Sequence, residues 1–308
     1  LRELAKKNYG EYTLSITNGG AIQADYFLAN LISDGAPLLH FVLTKAGKTL
    51  ADITFALTED LNAVSLENAP FGGIWTYASL KSAKIQLFIE AILAYCKEYG
   101  IRSVKVTQAP KPYDSHADLI NYLFFKSGFR QESVLAHQFF LGRKKIKKFI
   151  SDNYNKTQAK LKKEGGQINS AFISDFGFLD DLKRWNQAKG YSFTLDLERL
   201  VQQVSLFPER YFLISLEKRG ITLGYSVGVK LTSNSMYYFL SGMDPKAPIK
   251  NVGEYMLMEL FQLAMREKTE FIDLGSSDLE SHANHPLMFF KSRFSNDISN
   301  KVTWIRFL

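Results

Sequence analysis

Apolar residues recur at helical spacing in two stretches of this chain, and a short strand-like run follows each one. Ile85, Phe88, Ile89, Ile92, Leu93 and Cys96 predict a helix over 80–98, closed by Gly100, with a strand at 101–107 after it. Before this helix, Leu38–Thr44 and Thr49–Leu57 alternate around Ala46-Gly47-Lys48 and predict a β-hairpin. Asn62–Glu67 predicts a further strand, ended by Asn68-Ala69-Pro70-Phe71-Gly72-Gly73. After a Pro-rich loop at Ala109–Tyr113, a short helix at 117–127 and a strand at Ser133–Leu141 complete the set.

The same order returns downstream. Tyr211–Leu216 and Leu223–Leu231 predict a hairpin across Lys218-Arg219-Gly220, and Met236–Ser241 predicts the next strand. A turn at Gly242–Pro245, a helix at 254–267, a strand at 270–275 and a terminal strand at Val302–Phe307 follow. Phe-Phe-Lys-Ser-x-Phe occurs at Phe124–Phe129 and again at Phe289–Phe294, 165 residues later. The chain therefore reads as two copies of one α/β unit, residues 1–142 and 143–308. The second copy includes an added helical stretch whose basic part opens it, residues 143–200. The fold class is mixed α/β with hairpins rather than a regular βαβ ladder.

Composition narrows the classes. With 308 residues, 46% of them hydrophobic and 14% aromatic, the chain can bury a large core and is no disordered segment. No run approaches 18 consecutive apolar residues, so no membrane-spanning helix is expected. The sequence begins at Leu1 without a methionine, which allows for a leader removed upstream. The single cysteine, Cys96, lies on the apolar face of the first helix and reads as a core residue in a reducing, cytoplasmic setting.

The net charge of +7 is concentrated. Residues 143–163 hold Arg143, Lys144, Lys145, Lys147, Lys148, Lys156, Lys160, Lys162 and Lys163 against Asp152 alone. Such a segment either attracts phosphates, nucleic acid or an anionic surface, or is simply a solvated helical face. Its only interleaved aromatics, Phe149 and Tyr154, argue against sequence-specific nucleic-acid reading.

Candidate chemistry gathers where a strand passes through a loop into a helix, because a helix N-terminus offers unpaired N–H groups to phosphate oxygens. Lys250-Asn251-Val252-Gly253-Glu254-Tyr255 stands at that step in the second half, and Ala69–Gly73 stands there in the first. On local sequence alone, each reads more readily as an ordinary loop that needs glycine for its turn. Past the next strand come Asp273, Ser276, Ser277, Asp278, Glu280, His282 and His285. His282 and His285 lack a third partner, so no metal is expected. Ala46-Gly47-Lys48-Thr49 resembles the end of a P-loop but has Val42 where the first glycine belongs. Tyr237-Tyr238-Phe239 reads as a strand with one face in the core and the other able to line a cleft.

A strand, a phosphate-loop-like step, a helix, a strand and then an aromatic-x-x-x-Gly-Phe element resemble the GNAT acyltransferase fold. Phe124–Phe129 matches the last of these, and Phe289–Phe294 matches with Arg293 in place of glycine. Two such units with a helical insertion and a late Phe-Lys resemble the FemAB-like branch, which includes peptidoglycan aminoacyltransferases and BioF2-like acetyltransferase domains. The resemblance implies an N-acyltransferase that takes an acyl group from acetyl-CoA or another acyl-CoA to a small-molecule or peptide amine. Lys250–Tyr255 would hold the donor, while Phe71, Gly72, Gly73, Tyr238, Ser276 and Asp278 would border the acceptor. Lys291 matches the late lysine and would stabilise negative charge, with Asp273 or His285 receiving the amine's proton. Where many relatives have a proton-donating tyrosine this chain has Phe124 and Phe289, which donate nothing. The alternatives are a tRNA-dependent aminoacyltransferase acting on a cell-wall precursor, with 143–163 on the RNA, and a catalytically silent binding protein.

Overall fold

The computed structural model describes residues 2–19, 25–30, 37–66, 69–190, 195–279 and 282–308. Glu280, the end of the strand expected at Asn62–Glu67, and positions 191–194 of the stretch 143–200 lie outside them. Packing divides the chain into two compact units, Leu1–His137 with Ser299–Leu308, and Gln138–Ile298. The sequence places the division at Gly142; in the structure the last residues return to the first unit.

The first unit contains strands β1 (Arg2–Tyr9), β2 (Tyr12–Asn18), β3 (Leu38–Lys45), β4 (Lys48–Leu57), β5 (Asn62–Ser65) and β6 (Trp75–Thr76). Helix α1 (Ser82–Glu98), β7 (Ser103–Gln108), α2 (Ala117–Lys126) and β8 (Arg130–Leu141) follow. Its sheet runs β1-β2-β3-β4-β5-β7 and takes in the C-terminal strand β14 (Asp297–Phe307) beside β7, with the short β6 on β4. All pairings in this series are antiparallel except β5 with β7, which α1 links as a crossover. The spacing read in α1 holds: Ile85, Phe88, Ile89, Ile92 and Cys96 are all buried against the sheet. Each such side chain contributes on the order of 1.5–3 kcal/mol by leaving water. The hairpin β1-β2 is not among the elements predicted from sequence.

The second unit begins with α3 (Arg143–Lys163), β9 (Gly166–Phe172), α4 (Phe178–Ala188) and α5 (Leu197–Leu206). Next come β10 (Tyr211–Lys218), β11 (Ile221–Val229), β12 (Ser235–Met243), α6 (Val252–Arg266), β13 (Phe271–Asp273) and α7 (His285–Ser292). The expected helical stretch is thus interrupted by β9, which pairs with β10. The end of β8, then β13, β12, β11, β10 and β9, form the sheet, and only β12 with β13 is parallel, across α6. Eleven residues of α6 are buried, nearly all round the helix. It is held between the sheet and α3, and its buried Glu259 accepts hydrogen bonds from the hydroxyls of Tyr154 (2.9 Å) and Ser170 (2.6 Å). Among the described residues, no helix is long and apolar enough to cross a membrane.

Candidate functional site

Both units build a strand-helix-strand crossover, and each has to settle what lies between its two parallel strands. In the second unit, β12 and β13 pair only from Ser235–Phe271 to Tyr237–Asp273. Beyond that β12 runs on to Met243, paired on its other side with β11. A register shift opposite Val227 and Gly228 leaves Phe239 as the extra residue and bends the strand. On the facing side Gly275, at φ 71°, turns the chain away. A gap in the ladder follows: beyond Tyr237 the main chain of β12 has no strand partner on the β13 side among the described residues.

Several candidate residues come together here. Asp273 is fully buried and its carboxylate accepts the Gly275 N–H at 2.7 Å. Lys291, only 4% exposed, reaches in from α7 and donates to the Ser276 carbonyl at 2.5 Å. Burial pushes its ammonium pKa down to about 8, against the opposing pull of Asp273 and Asp278. The Ser277 hydroxyl is buried without a hydrogen-bond partner among the described residues. The Asn284 N–H donates to Ser277 O, the Leu279 N–H donates to His282 O, and a bridge joins Asp278 to Ala283. Asn284 then caps α7 by accepting the Leu287 N–H, which fixes the helix that carries Lys291. His285, the first residue of α7, is exposed.

Tyr237 joins this group although the sequence gives it no role. A Cβ on Gly275 would lie 3.4 Å from its ring and 3.6 Å from its hydroxyl, so the phenol sits directly on the turn beside Asp273. Burial and the Asp273 charge both push its pKa up, which keeps the phenol protonated. Tyr238 faces the α6 core, and burial pushes its phenol up to about 12. Both phenols carry protons, unlike Phe289, which points to solvent, and Phe124, which lies in the first unit's core.

At the start of α6, Lys250 and Asn251 are exposed, and Asn251 adopts a left-handed conformation. Gly253 is buried; a Cβ there would stand 3.3 Å from both Met243 Cε and Phe290 Cζ. Glu254 is ion-paired with Arg293 at 2.6 Å, and Tyr255 donates to Glu164 at 3.1 Å, with its phenol pushed up to about 12, chiefly by burial. Val252 and Tyr255 belong to the helix core. The acidic residue Glu254 in the first turn works against a diphosphate at this helix N-terminus. No group of three or more His, Cys, Asp or Glu side chains suited to a metal occurs among the described residues.

The first unit closes the equivalent gap. β5 and β7 pair over Asn62–Val64 and Ser103–Lys105. Farther on, the Ser65 hydroxyl accepts the Thr107 N–H at 3.1 Å and the Gly72 N–H donates to Thr107 O at 3.0 Å. The Gln108 amide then grips Ile74 through its N–H and its carbonyl, both at 3.0 Å. Gly73, at φ 80°, is the only residue type that fits, since a Cβ would meet Gln108 Oε1 at 2.4 Å. Phe71 is buried among Tyr26, Trp75 and Tyr113. Phe71, Gly72 and Gly73 therefore fill a gap instead of offering an open surface. All nine basic side chains of α3 are exposed, and Lys148 pairs with Asp152 at 2.9 Å.

No family model matches the chain, and no curated protein does. Solved structures resemble it at low identity. A tandem GNAT protein from the clavulanic acid biosynthesis pathway is 12% identical and matches over 92% of this chain and 87% of its own, at a TM-score of 0.55. FemX is 10% identical over 87% of each chain, at 0.62. L-PGS from Bacillus licheniformis is 16% identical over 84% of this chain and 82% of its own, at 0.52. At these identities the likeness is one of fold: this chain carries a tandem GNAT fold.

Proposed function

We propose that the second unit transfers an acyl group from an acyl thioester, such as acetyl-CoA, to an amine. The observation that carries this reading is the parting of β12 and β13 beside the buried Lys291 ammonium. A thioester arm laid along β12 would bond to its main-chain groups and bring the carbonyl toward Lys291. The amine nitrogen attacks the carbonyl carbon, the C–S bond breaks, and the amine's proton passes to Asp273 directly or through water. Lys291 stabilises the oxyanion of the tetrahedral intermediate, an effect worth roughly 10²–10³ in rate for a well-placed donor. The departing thiolate takes its proton from a phenol of the gap or from solvent. Exposed His285 stands as the other proton acceptor, and Ser276 and Asp278 border the amine. Thiol release from acetyl-CoA with a panel of amines tests the assignment, with Lys291→Ala as control. An unchanged rate in that variant, or no thiol release with any acyl-CoA, removes it.

The exposed cations of α3, together with the likeness to FemX, support one second reading, in which the donor is an aminoacyl-tRNA. Binding of bulk tRNA should then weaken steeply with salt and with Lys144, Lys147 and Lys148 changed to Ala. Absent or salt-independent binding counts against it.

A further inference from the structure

The first unit contains an open pocket of about 520 Å³ lined by Trp75, Thr76, Tyr77, Tyr113, Asp114 and His116, among others, and none of the chemistry above uses it. Its polar groups are ordered from below. Asp114, whose side chain is 3% exposed, accepts the Thr76 N–H at 3.1 Å and the His116 N–H at 2.8 Å. The Thr76 hydroxyl lies 3.0 and 3.1 Å from the two Asp114 oxygens and 3.0 Å from His116 Nδ1.

That hydroxyl has one proton to give. Turned toward the imidazole, it would leave its lone pairs facing both oxygens of a buried carboxylate. Given to Asp114, it lets the imidazole supply its own proton from Nδ1. The second arrangement satisfies every group, and in the neutral imidazole it places the proton on Nδ1 and leaves a lone pair on Nε2. Tyr77 follows the same pattern: its hydroxyl donates to buried Asp52 at 2.8 Å, and Asp52 is also held by His40 Nε2 at 3.0 Å. The imidazole and this phenol both spend a proton on the buried side, no lysine or arginine lines the pocket among the described residues, and Trp75, Tyr77 and Tyr113 contribute aromatic rings.

We propose that this pocket binds a primary ammonium group, which donates to His116 Nε2 and lies against the aromatic rings. An ammonium brings only donors and a positive charge, matching acceptors backed by carboxylates. Non-specific attraction is disfavoured, because the chain as a whole carries +7. The inference goes beyond the proposed acyl transfer and does not depend on it.

Titration calorimetry of the full chain with 1,4-diaminobutane, and with its N,N′-diacetyl derivative, tests the proposal without any acyl donor. The diamine should bind at least about tenfold more tightly than the acetylated form, and His116→Ala and Thr76→Val should each weaken it by about tenfold or more. Thr76→Ser, which keeps the hydroxyl, and Lys126→Ala, outside the pocket, should bind as the parent does. Long-range ¹H–¹⁵N spectra of the unmodified chain supply a readout that does not rely on a variant folding. They should show His116 as the Nδ1–H tautomer, with Nε2 shifting on diamine addition. No binding, equal binding of the acetylated form, an Nε2–H tautomer, or undiminished binding by a folded His116→Ala each overturns the proposal.

Discussion

Phe124–Phe129 and Phe289–Phe294 differ at one position, yet their lysines occupy opposite environments: Lys126 is exposed and Lys291 is buried. The aromatic residues exchange places as well, with Phe124 at 2% exposure and Phe289 at 73%. The cause lies at the helix ends. Gly128 takes φ 78°, so Phe129 N–H reaches Phe124 O and Gly128 N–H reaches Phe125 O, the paired bonds of a Schellman cap. The ring of Phe129 then packs on Phe124, five residues back, at 4.9 Å. Arg293 stays right-handed, at φ −70°, and the Phe294 N–H bonds to Lys291 O, three residues back, at 2.8 Å. Phe294 therefore packs on Phe290, four residues back, at 5.7 Å. One residue of shift is about 100° of helix rotation, enough to carry a lysine from solvent into the core. A sequence repeat can thus preserve a fold while reversing which side chain meets the site.

The sharpest way to break this comparison is to remove both lysines in turn. Lys291→Ala should lower thioester-dependent transfer by about 10²–10³, whereas Lys126→Ala should leave it within about twofold. Equal effects would mean that burial does not mark the working unit. The pH profile adds a sign. Lys291, at about 8, loses its charge above that pH, so a rate that needs the cation should fall about tenfold per unit on the alkaline side. Stability should move the other way. From about 8 to the ordinary 10.5 the unfolded chain holds the proton that the folded one has lost, so this lysine's contribution to stability rises with pH in that window. Urea titrations at several pH values should show the rise in the parent and lose it in Lys291→Met.

The gaps between the parallel strands supply the next test. Gly73→Ala forces a Cβ to 2.4 Å from Gln108 Oε1 at a positive φ, and should cost about 2–4 kcal/mol by strain and overpacking together. Gly275→Ala meets Tyr237 at 3.4 Å, an ordinary contact, and should cost only the backbone term of about 1–2 kcal/mol. Its larger effect should be on transfer, because a methyl group then occupies the turn beside Tyr237 and Asp273. Comparable losses of stability at the two glycines would contradict a filled gap in one unit and an open one in the other.

The crossovers are legible in the sequence because α1 and α6 repeat apolar residues at helical spacing and a short strand-like run, Ser103–Gln108 or Phe271–Asp273, follows each. In the hairpin β1-β2 the second strand alternates cleanly through Tyr12, Leu14 and Ile16, but its partner does not, because Lys6, Lys7 and Asn8 interrupt the pattern that would mark a pair. β9 escapes because it follows a lysine-rich helix and carries few apolar residues besides Ile168 and Phe172. Lys291 and Asp273 are named from motif and strand end, and the structure brings them close enough for the Asp273 charge to act on the ammonium. Tyr237 is not legible, since its place depends on where β12 leaves β13, a property of two segments far apart in the chain. The Gln108 clasp on Ile74 is hidden for the same reason, as is the pairing of Glu254 with Arg293.

The smallest expected effects fall on the residue that distinguishes the two repeats. Gly128→Ala strains a left-handed cap and should cost about 1 kcal/mol, with little change in transfer. Arg293→Gly removes a half-exposed ion pair with Glu254, worth only about 0.2–1 kcal/mol, and permits the left-handed cap that α7 lacks. If that cap forms, α7 rotates toward the arrangement of α2, with position 289 turning inward and Lys291 outward. The lysine then regains water, and the alkaline limb of the pH profile should move up from about 8 toward 10.5. A limb that stays near 8 in Arg293→Gly would show that the Ser276 carbonyl and the loop above α7 hold the helix, and that the cap follows the rotation instead of setting it.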